Sequence, residues 1–147
     1  MNPPALTVQP HRGKFQAALH ALSIGFFLSV AAFAGDIRVR GSIVGRVESD
    51  GQVRLKGSIV GRFENNGDIR VKGSITGRIE ANGHIRKSGS LVGQVEANGD
   101  VRLNGSIVGR IEANGDVRDR GSIVGRAEGM TKEQAAVLFF FGFFAVR

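Results

Sequence analysis

The chain has 147 residues, enough for one domain with short flanking segments, and it lacks cysteine, which excludes a disulfide framework or a thiolate metal site. Its 22 glycines recur mostly at fixed positions, which excludes a low-complexity sequence. The formal net charge of +7 is typical of a charge-mixed surface or of a protein that contacts anionic polymers or lipid surfaces.

The N-terminal segment resembles an export signal in its composition. Residues 1–16 are polar and basic, residues 17–34 are almost wholly apolar, and the apolar run ends in Ala32-Phe33-Ala34. This order predicts a secretory signal cleaved after Ala34, and hence a periplasmic, outer-surface or secreted protein. The first alternative is an inner-membrane anchor, because residues 17–34 are close to the lower length limit for spanning. The second alternative is a buried helix of the fold.

Residues 35–130 consist of six tandem 16-residue copies, the first of which reads GDIRVRGSIVGRVESD. Apolar residues at positions three, nine and thirteen share one parity around a constant glycine at position eleven, which predicts strands with one buried face. Position nine is therefore expected in the core. The copies begin at Gly35, Gly51, Gly67, Gly83, Gly99 and Gly115, and position nine is Ile43, Ile59, Ile75, Leu91, Ile107 and Ile123.

Register follows from the loops between copies. A three-residue loop at Ser49-Asp50-Gly51 pairs Val47 with Val53, whereas a two-residue loop would place apolar residues opposite charged ones. We therefore predict a type I turn followed by a glycine with positive φ. The Gly-Ser reversal inside each copy predicts either a three-residue loop at Arg40-Gly41-Ser42, with Val39 facing Ile43, or a bulged bend.

Two polar columns recur in every copy, arginine at position four and glutamate at position fourteen. Both lie on the face opposite the apolar columns, so we expect a charged ladder on the solvent side. At position five, Lys87 and Asp119 replace the usual valine or leucine, which predicts a lost apolar contact in the fourth and sixth copies.

The C-terminal segment, residues 131–147, begins with Thr131-Lys132-Glu133-Gln134, which has the spacing of a capping box. The next twelve residues, 135–146, are apolar and include five phenylalanines. A helix that is apolar on all sides needs burial on all sides, and twelve residues span only about 18 Å, which is short for a bilayer. We predict that it fills the centre of the ring of hairpins; a lipid-inserting tail and an oligomer interface are the alternatives.

These features predict a mainly β fold, with antiparallel hairpin repeats closed around a short hydrophobic C-terminal helix. The strings x-Asn-Gly-x-Val and Gly-x-x-x-Gly-Arg-x-Glu, followed by residues 127–141, resemble the β-flower families of short hairpin repeats. The chain departs from those families in having six copies, and in having arginine where an aromatic-acidic pair is expected. The resemblance implies a fold but no activity, and the number of hairpins in the ring, five or six, stays open.

A second resemblance is to bactofilins, which have similar Gly-Arg-Val-Glu-Gly-Asp-Ile strings. It implies a right-handed β-helix solenoid with a 16-residue coil and a cytoplasmic polymer. The Asn-Gly loops favour tight reversal instead, and the predicted export signal conflicts with a cytoplasmic location.

Residues that could carry chemistry are few, and we expect no catalytic, cofactor-binding or metal site. His84 is the one histidine after residue 34, and it stands at a turn position that is aspartate in four copies, so we expect surface variation there and no nucleophile–histidine–acid set. The repeated Gly-Ser-Ile-Val-Gly string lacks the strand-to-helix context of a nucleophile elbow. Loops such as residues 64–68 could meet Ca²⁺, but their composition is that of ordinary turns. Nucleic acid is not expected, because stacking aromatics are missing among the arginines.

The predicted function is therefore a non-catalytic, exported β-repeat protein with a structural or adhesive role at the cell envelope. Self-association or contact with an envelope surface is expected, but the sequence identifies no partner. The alternatives are a membrane-active protein that inserts residues 139–144 into lipid, and a polymer-forming scaffold of the bactofilin type.

Overall fold

Each 16-residue copy forms one β-hairpin, and six hairpins form a closed barrel around the C-terminal segment. The computed structural model describes residues 34–147, so the predicted signal or anchor in residues 1–34 lies outside the described part except for Ala34. The strands are β1 Gly35–Val39, β2 Ser42–Val47, β3 Gln52–Leu55, β4 Ser58–Phe63, β5 Asp68–Val71, β6 Ser74–Ile79, β7 His84–Lys87, β8 Ser90–Val95, β9 Asp100–Leu103, β10 Ser106–Ile111, β11 Asp116–Asp119 and β12 Ser122–Ala127, and the helix α1 is Lys132–Phe139.

Every strand pairs antiparallel with its neighbours in sequence, and β1 pairs with β12 to close the ring. The seam has the same register as the internal junctions, because Ile37 lies opposite Ala127 just as Val47 lies opposite Val53. The predicted closed hairpin barrel is confirmed, with six hairpins. The parallel coils of the alternative solenoid are not the fold of residues 34–147.

The loops between copies follow the predicted register. Val47 lies opposite Val53 and Phe63 opposite Ile69, so the three-residue loop is confirmed. The amide of Gly51 donates to the carbonyl of Glu48 at 2.9 Å, and Gly51 has a φ of +88°. Since L-residues rarely adopt this φ, glycine is the favoured residue at the end of each loop.

The reversal inside each copy differs from the prediction. Val39 lies opposite Ser42, so the loop contains the two residues Arg40 and Gly41, both with positive φ, as in a type I′ turn. The predicted three-residue loop is therefore wrong. A bulge follows in the next strand, because Arg38 lies opposite Ile43 and Ile37 opposite Gly45. The turn and the bulge are both present, where the sequence analysis treated them as alternatives.

The bulge corrects the predicted core. One extra residue reverses the alternation of side chains, so Ile43 faces outward beside Arg38. The expectation that position nine is buried is wrong, because the bulge shifts the alternation of side chains by one residue. The side chains at position nine are 51–56% exposed, and they are Ile43, Ile59, Ile75, Leu91, Ile107 and Ile123.

The core consists of positions three and thirteen of the hairpins together with the C-terminal segment. Every position-three side chain is 0% exposed, and α1 contributes the buried run Ala135–Phe139. Thr131 and Gln134 form the predicted capping box, and Lys132 donates to the carbonyl of Ala97 at 2.6 Å, which places the start of α1 beside the loops between copies. The position-three residues are Ile37, Val53, Ile69, Ile85, Val101 and Val117.

The helix is shorter than predicted and ends at Phe139. A continuous helix would place successive phenylalanines at different heights in the barrel, at 1.5 Å per residue. Instead residues 140–147, the C-terminal tail, take an irregular path in which Gly142 has a φ of +65°. The predicted burial of the segment is nevertheless confirmed, with Phe141, Phe143 and Phe144 all buried.

The phenylalanine rings contact the constant glycines at position eleven. A Cβ added at Gly61 would lie 2.5 Å from the Phe144 ring, closer than real side chains approach. In the first copy, the side chain of Leu55 takes the place of the ring beside Gly45. The tail therefore passes the copies in reverse order while its rings stay at one level of the barrel. The pairs are Phe139 with Gly125, Phe140 with Gly109, Phe141 with Gly93, Phe143 with Gly77, and Phe144 with Gly61.

Within residues 34–147, no helix is both long enough and apolar enough to cross a bilayer.

We predict that Phe141→Ala lowers the free energy of unfolding by about 3–5 kcal/mol, because it leaves a cavity against Gly93. Leu91→Ala in the same hairpin is the matched control and should cost less than about 1 kcal/mol, because Leu91 is half exposed. Urea unfolding followed by circular dichroism measures both. Equal losses for the two variants would mean that Leu91 lies in the core.

Candidate interaction surface

The barrel has two chemically different ends. The loop end carries the three-residue loops between copies and the start of α1. The corner end carries the two-residue turns and the C-terminal tail. The loops are residues 49–51, 65–67, 81–83, 97–99 and 113–115, and the turns are residues 40–41, 56–57, 72–73, 88–89, 104–105 and 120–121.

An arginine–glutamate belt surrounds the outer wall between the two ends. Arg70 shows its geometry: its Nε donates to Glu64 at 2.5 Å, and its Nη1 donates to the carbonyl of Gly73 at 3.0 Å. Each such arginine therefore joins the preceding copy to its own turn, and the predicted charged ladder is confirmed. The belt consists of Arg54 with Glu48, Arg70 with Glu64, Arg86 with Glu80, Arg102 with Glu96, and Arg118 with Glu112.

The belt changes at the seam between β12 and β1. Here Arg126 Nε lies 2.7 Å from Glu128 Oε1 as an ion pair without hydrogen-bond geometry, and Arg38 approaches Asp36 at 3.8 Å. A surface groove of about 570 Å³ lies at this seam and is lined by Arg38, Arg40, Arg126 and Glu128, among others. Elsewhere the belt arginines face a carboxylate, so the belt is not a free basic stripe.

The loop end is rich in carboxylates. Twelve of the thirteen acidic residues lie at positions two, fourteen and sixteen or at Glu133, which is in the first turn of α1; the position-fourteen glutamates among them belong to the belt, and the twelve are equalled in number by the eleven arginines of positions four and twelve together with Lys132. Many face arginines at position twelve; Arg78, for example, lies 3.6 Å from Asp68 and donates to the carbonyl of Asn66 at 3.1 Å. The remaining acidic residue, Asp119, lies at the corner end.

The corner end is cationic. Four of its six turn tips carry an exposed arginine or lysine, and Lys87 and Arg147 add two cations beside the tail. The tip residues are exposed, and their φ values of +48° to +51° place them in the left-handed region of the turns. The four cationic tips are Arg40, Lys56, Lys72 and Arg120, and the other two are Ser88 and Asn104.

The six exposed side chains at position nine form an apolar girdle beside the corner end, one per hairpin. Each lies opposite the position-four arginine of its own copy, as Ile43 lies opposite Arg38. These six half-exposed branched side chains stand on alternate strands around the ring, at equivalent positions in every hairpin. Sequence reasoning missed it, although the doublet Ile43-Val44 breaks the alternation of the strand and could have indicated the bulge.

Lys87 and Asp119 have a role that the sequence analysis did not predict. Lys87 Nζ donates to the carbonyls of Phe141 and Gly142 at 3.2 and 3.0 Å, and lies 5.0 Å from the Phe143 ring centroid. Asp119 accepts from Arg147 Nη1 at 2.8 Å. The two departures from the repeat replace an apolar contact with polar bonds that fix the C-terminal tail.

The remaining candidate residues form ordinary turn contacts. His84 lies 3.7 Å from Glu80 on the surface, and Asn66 accepts from the amide of Asp68 at 2.9 Å. In the part of the chain from residue 34 onward, no group of three or more histidine and acidic side chains is placed to hold a metal ion. That the protein has no catalytic, cofactor or metal site stays a prediction.

The hairpin array is similar to a known protein family. The family model for bactofilin, described as polymer-forming cytoskeletal, matches residues 56–136, which is more than half of the chain. No curated protein and no solved structure matches the chain. The match supports the second of the two resemblances, and the β-flower resemblance is not shown, although the hairpin barrel that it implied is present.

We predict that Lys87→Leu, which restores the apolar residue usual at position five, destabilises the protein by about 1–2 kcal/mol. It removes charged hydrogen bonds to two carbonyls of the tail. Lys56→Asn is the control, because Lys56 is an exposed turn tip and asparagine tolerates positive φ. Thermal unfolding of both variants is the measurement. A more stable Lys87→Leu variant would show that the lost apolar contact dominates.

Proposed function

The chain belongs to the bactofilin family, described as polymer-forming and cytoskeletal, and from this we propose that it is a non-catalytic structural protein that assembles into polymers. The observation that carries the proposal is the family match over residues 56–136, which spans most of the hairpin array. Self-association of identical chains is the activity that this assigns to the barrel.

The barrel restricts how such polymers can form. All twelve strands are paired on both sides, so residues 34–147 offer no open sheet edge to which another chain could add a strand. Assembly must therefore use side chains on the outer wall or at the two ends. The hairpins present the same side chains at equivalent positions around the ring, which suits repeated contacts between identical copies.

Export with an adhesive role and insertion into lipid are two further parts of the predicted function, and they have different outcomes. Export and an adhesive role at the cell envelope depend on residues 1–34, and they stay predictions. The membrane-active alternative requires residues 139–144 to be available to lipid. Phe139, Phe141, Phe143 and Phe144 are buried against the hairpins, so this alternative loses its main support.

We expect the purified full chain to form assemblies much larger than its 15.6 kDa monomer. Sedimentation velocity over a range of concentrations, with negative-stain electron microscopy, measures their size and shape. The same measurements are repeated in mild non-ionic detergent. Detergent disperses association through the apolar residues 17–34, so assemblies that persist in it do not depend on those residues. A folded chain that sediments as a monomer under both conditions would contradict the proposed function.

A further inference from the structure

We propose that the seam between β12 and β1 binds an acidic peptide segment of a partner protein, with one carboxylate paired to Arg38 and an aliphatic side chain packed on Ile123. This site goes beyond the proposed assembly into polymers and does not depend on it. It lies in the surface groove of about 570 Å³ at the seam. That volume is in the range of about 300–1,000 Å³ that is typical of ligand sites.

The first argument is a break in the arginine–glutamate belt. At the five other junctions, the position-four arginine donates from Nε to the glutamate of the preceding copy and from Nη1 to the glycine carbonyl of its own turn. At the seam these partners would be Glu128 and Gly41. Among residues 34–147, Arg38 makes neither bond, and its one ion pair is with Asp36 at 3.8 Å. Asp36 also lies 3.6 Å from Arg46, so two arginines share a single carboxylate.

Glu128 differs from its counterparts because the chain leaves the hairpin array after it. The backbone turns at Gly129, with a φ of +68°, and enters α1 instead of another hairpin. Glu128 Oε1 lies 2.7 Å from Arg126 Nε, which is buried and has no hydrogen-bond partner within the described residues. Arg126 lies directly opposite Arg38 on the paired strands. Like charges at opposite positions are unfavourable, so a carboxylate bound to Arg38 would relieve this repulsion.

The charges along the groove define the charge of the ligand. The groove is lined by three arginines, Arg38, Arg40 and Arg126, and by two carboxylates, Asp116 and Glu128. Three cations against two anions leave a net charge of +1. This balance suits a ligand with one negative charge, because the further charges of a polyanion would meet the two carboxylates of the groove.

The groove also has an apolar part, which favours a peptide over a free inorganic anion. Ile123 and Val124 line it, and Ile123 is 53% exposed. An aliphatic side chain next to the bound carboxylate can remove part of this surface from water. Residues 1–34 contain no aspartate or glutamate, so they cannot supply the carboxylate. The occupant that fits is a segment of another molecule in which one acidic residue adjoins aliphatic residues.

The test is equilibrium dialysis of the full chain against radiolabelled acetyl-Val-Glu-Val-amide, a measurement that does not depend on polymerisation. We expect saturable binding of one peptide per chain, because the barrel has one seam. Arg38→Gln should weaken binding about tenfold, since it removes a charge-assisted hydrogen bond to the peptide. Arg70→Gln is the matched control and should leave the affinity unchanged, because Arg70 already binds Glu64. Acetyl-Val-Gln-Val-amide should bind about tenfold more weakly to the unmodified chain.

Further variants test the rest of the groove. Glu128→Gln removes a carboxylate, so we expect binding about threefold tighter. Ile123→Thr should weaken binding about threefold, whereas Ile75→Thr, at the same position of another hairpin, should not change it. Circular dichroism and thermal unfolding check that each variant is folded. If Arg70→Gln is unfolded, Arg102→Gln replaces it, because Arg102 also binds a glutamate of the belt.

Three results would overturn the proposal. Five or six peptides bound per chain, or equal losses in Arg38→Gln and Arg70→Gln, would show that the peptide binds the repeated belt and not the seam. Absence of saturable binding, or equal binding of the glutamine peptide, would remove the carboxylate site. Inorganic phosphate that displaces the labelled peptide as well as unlabelled peptide does would show a general anion site and overturn the assignment to a peptide.

Discussion

The contact between the position-eleven glycines and the phenylalanine rings is the constraint on which the structure depends. A hairpin of sixteen residues buries too little surface to be stable alone, so the copies must share a core. Five copies present a glycine to a phenylalanine, and the missing Cβ lets the ring lie against the strand backbone. The tail thus fills the corner end of the barrel. The constancy of this glycine has two causes: an added Cβ would lie 2.1–2.4 Å from the carbonyl oxygen of a position-four arginine in the neighbouring strand, and in five copies it would also meet the ring.

Closure of the ring then determines where the protein can interact. With β1 paired to β12, the backbone hydrogen bonds of the described strands are used within the barrel. What differs around the molecule is the side chains: a paired arginine–glutamate belt on the wall, carboxylates at the loop end, and cations with an apolar girdle at the corner end. One bulged residue per hairpin creates the girdle, because it moves position nine from the core side to the solvent side.

The bactofilin family match does not by itself determine whether the repeats form coils or hairpins. The bactofilin match covers repeats whose strings resemble those of a β-helix, yet each copy reverses direction twice. Both reversals need residues with positive φ, such as Gly51 in the loop and Arg40 with Gly41 in the turn. Strand propensity and period suit either a coil or a hairpin. The antiparallel register is therefore decided by backbone conformation at the turns, and assembly through side chains is consistent with a barrel as well as with a coil.

The repeat, the loop register that pairs Val47 with Val53, the charged ladder, the capping box and burial of the phenylalanines are all predictable from the amino-acid sequence. These are local or periodic features, so side-chain alternation and turn chemistry suffice to predict them. Three features emerge only in the folded barrel: the ring closes with six hairpins, the helix ends at Phe139, and Lys87 binds the tail. It also placed Ile43 in water, because a bulge changes parity without changing composition. Such features depend on contacts between residues far apart in the chain, which a periodic pattern does not encode.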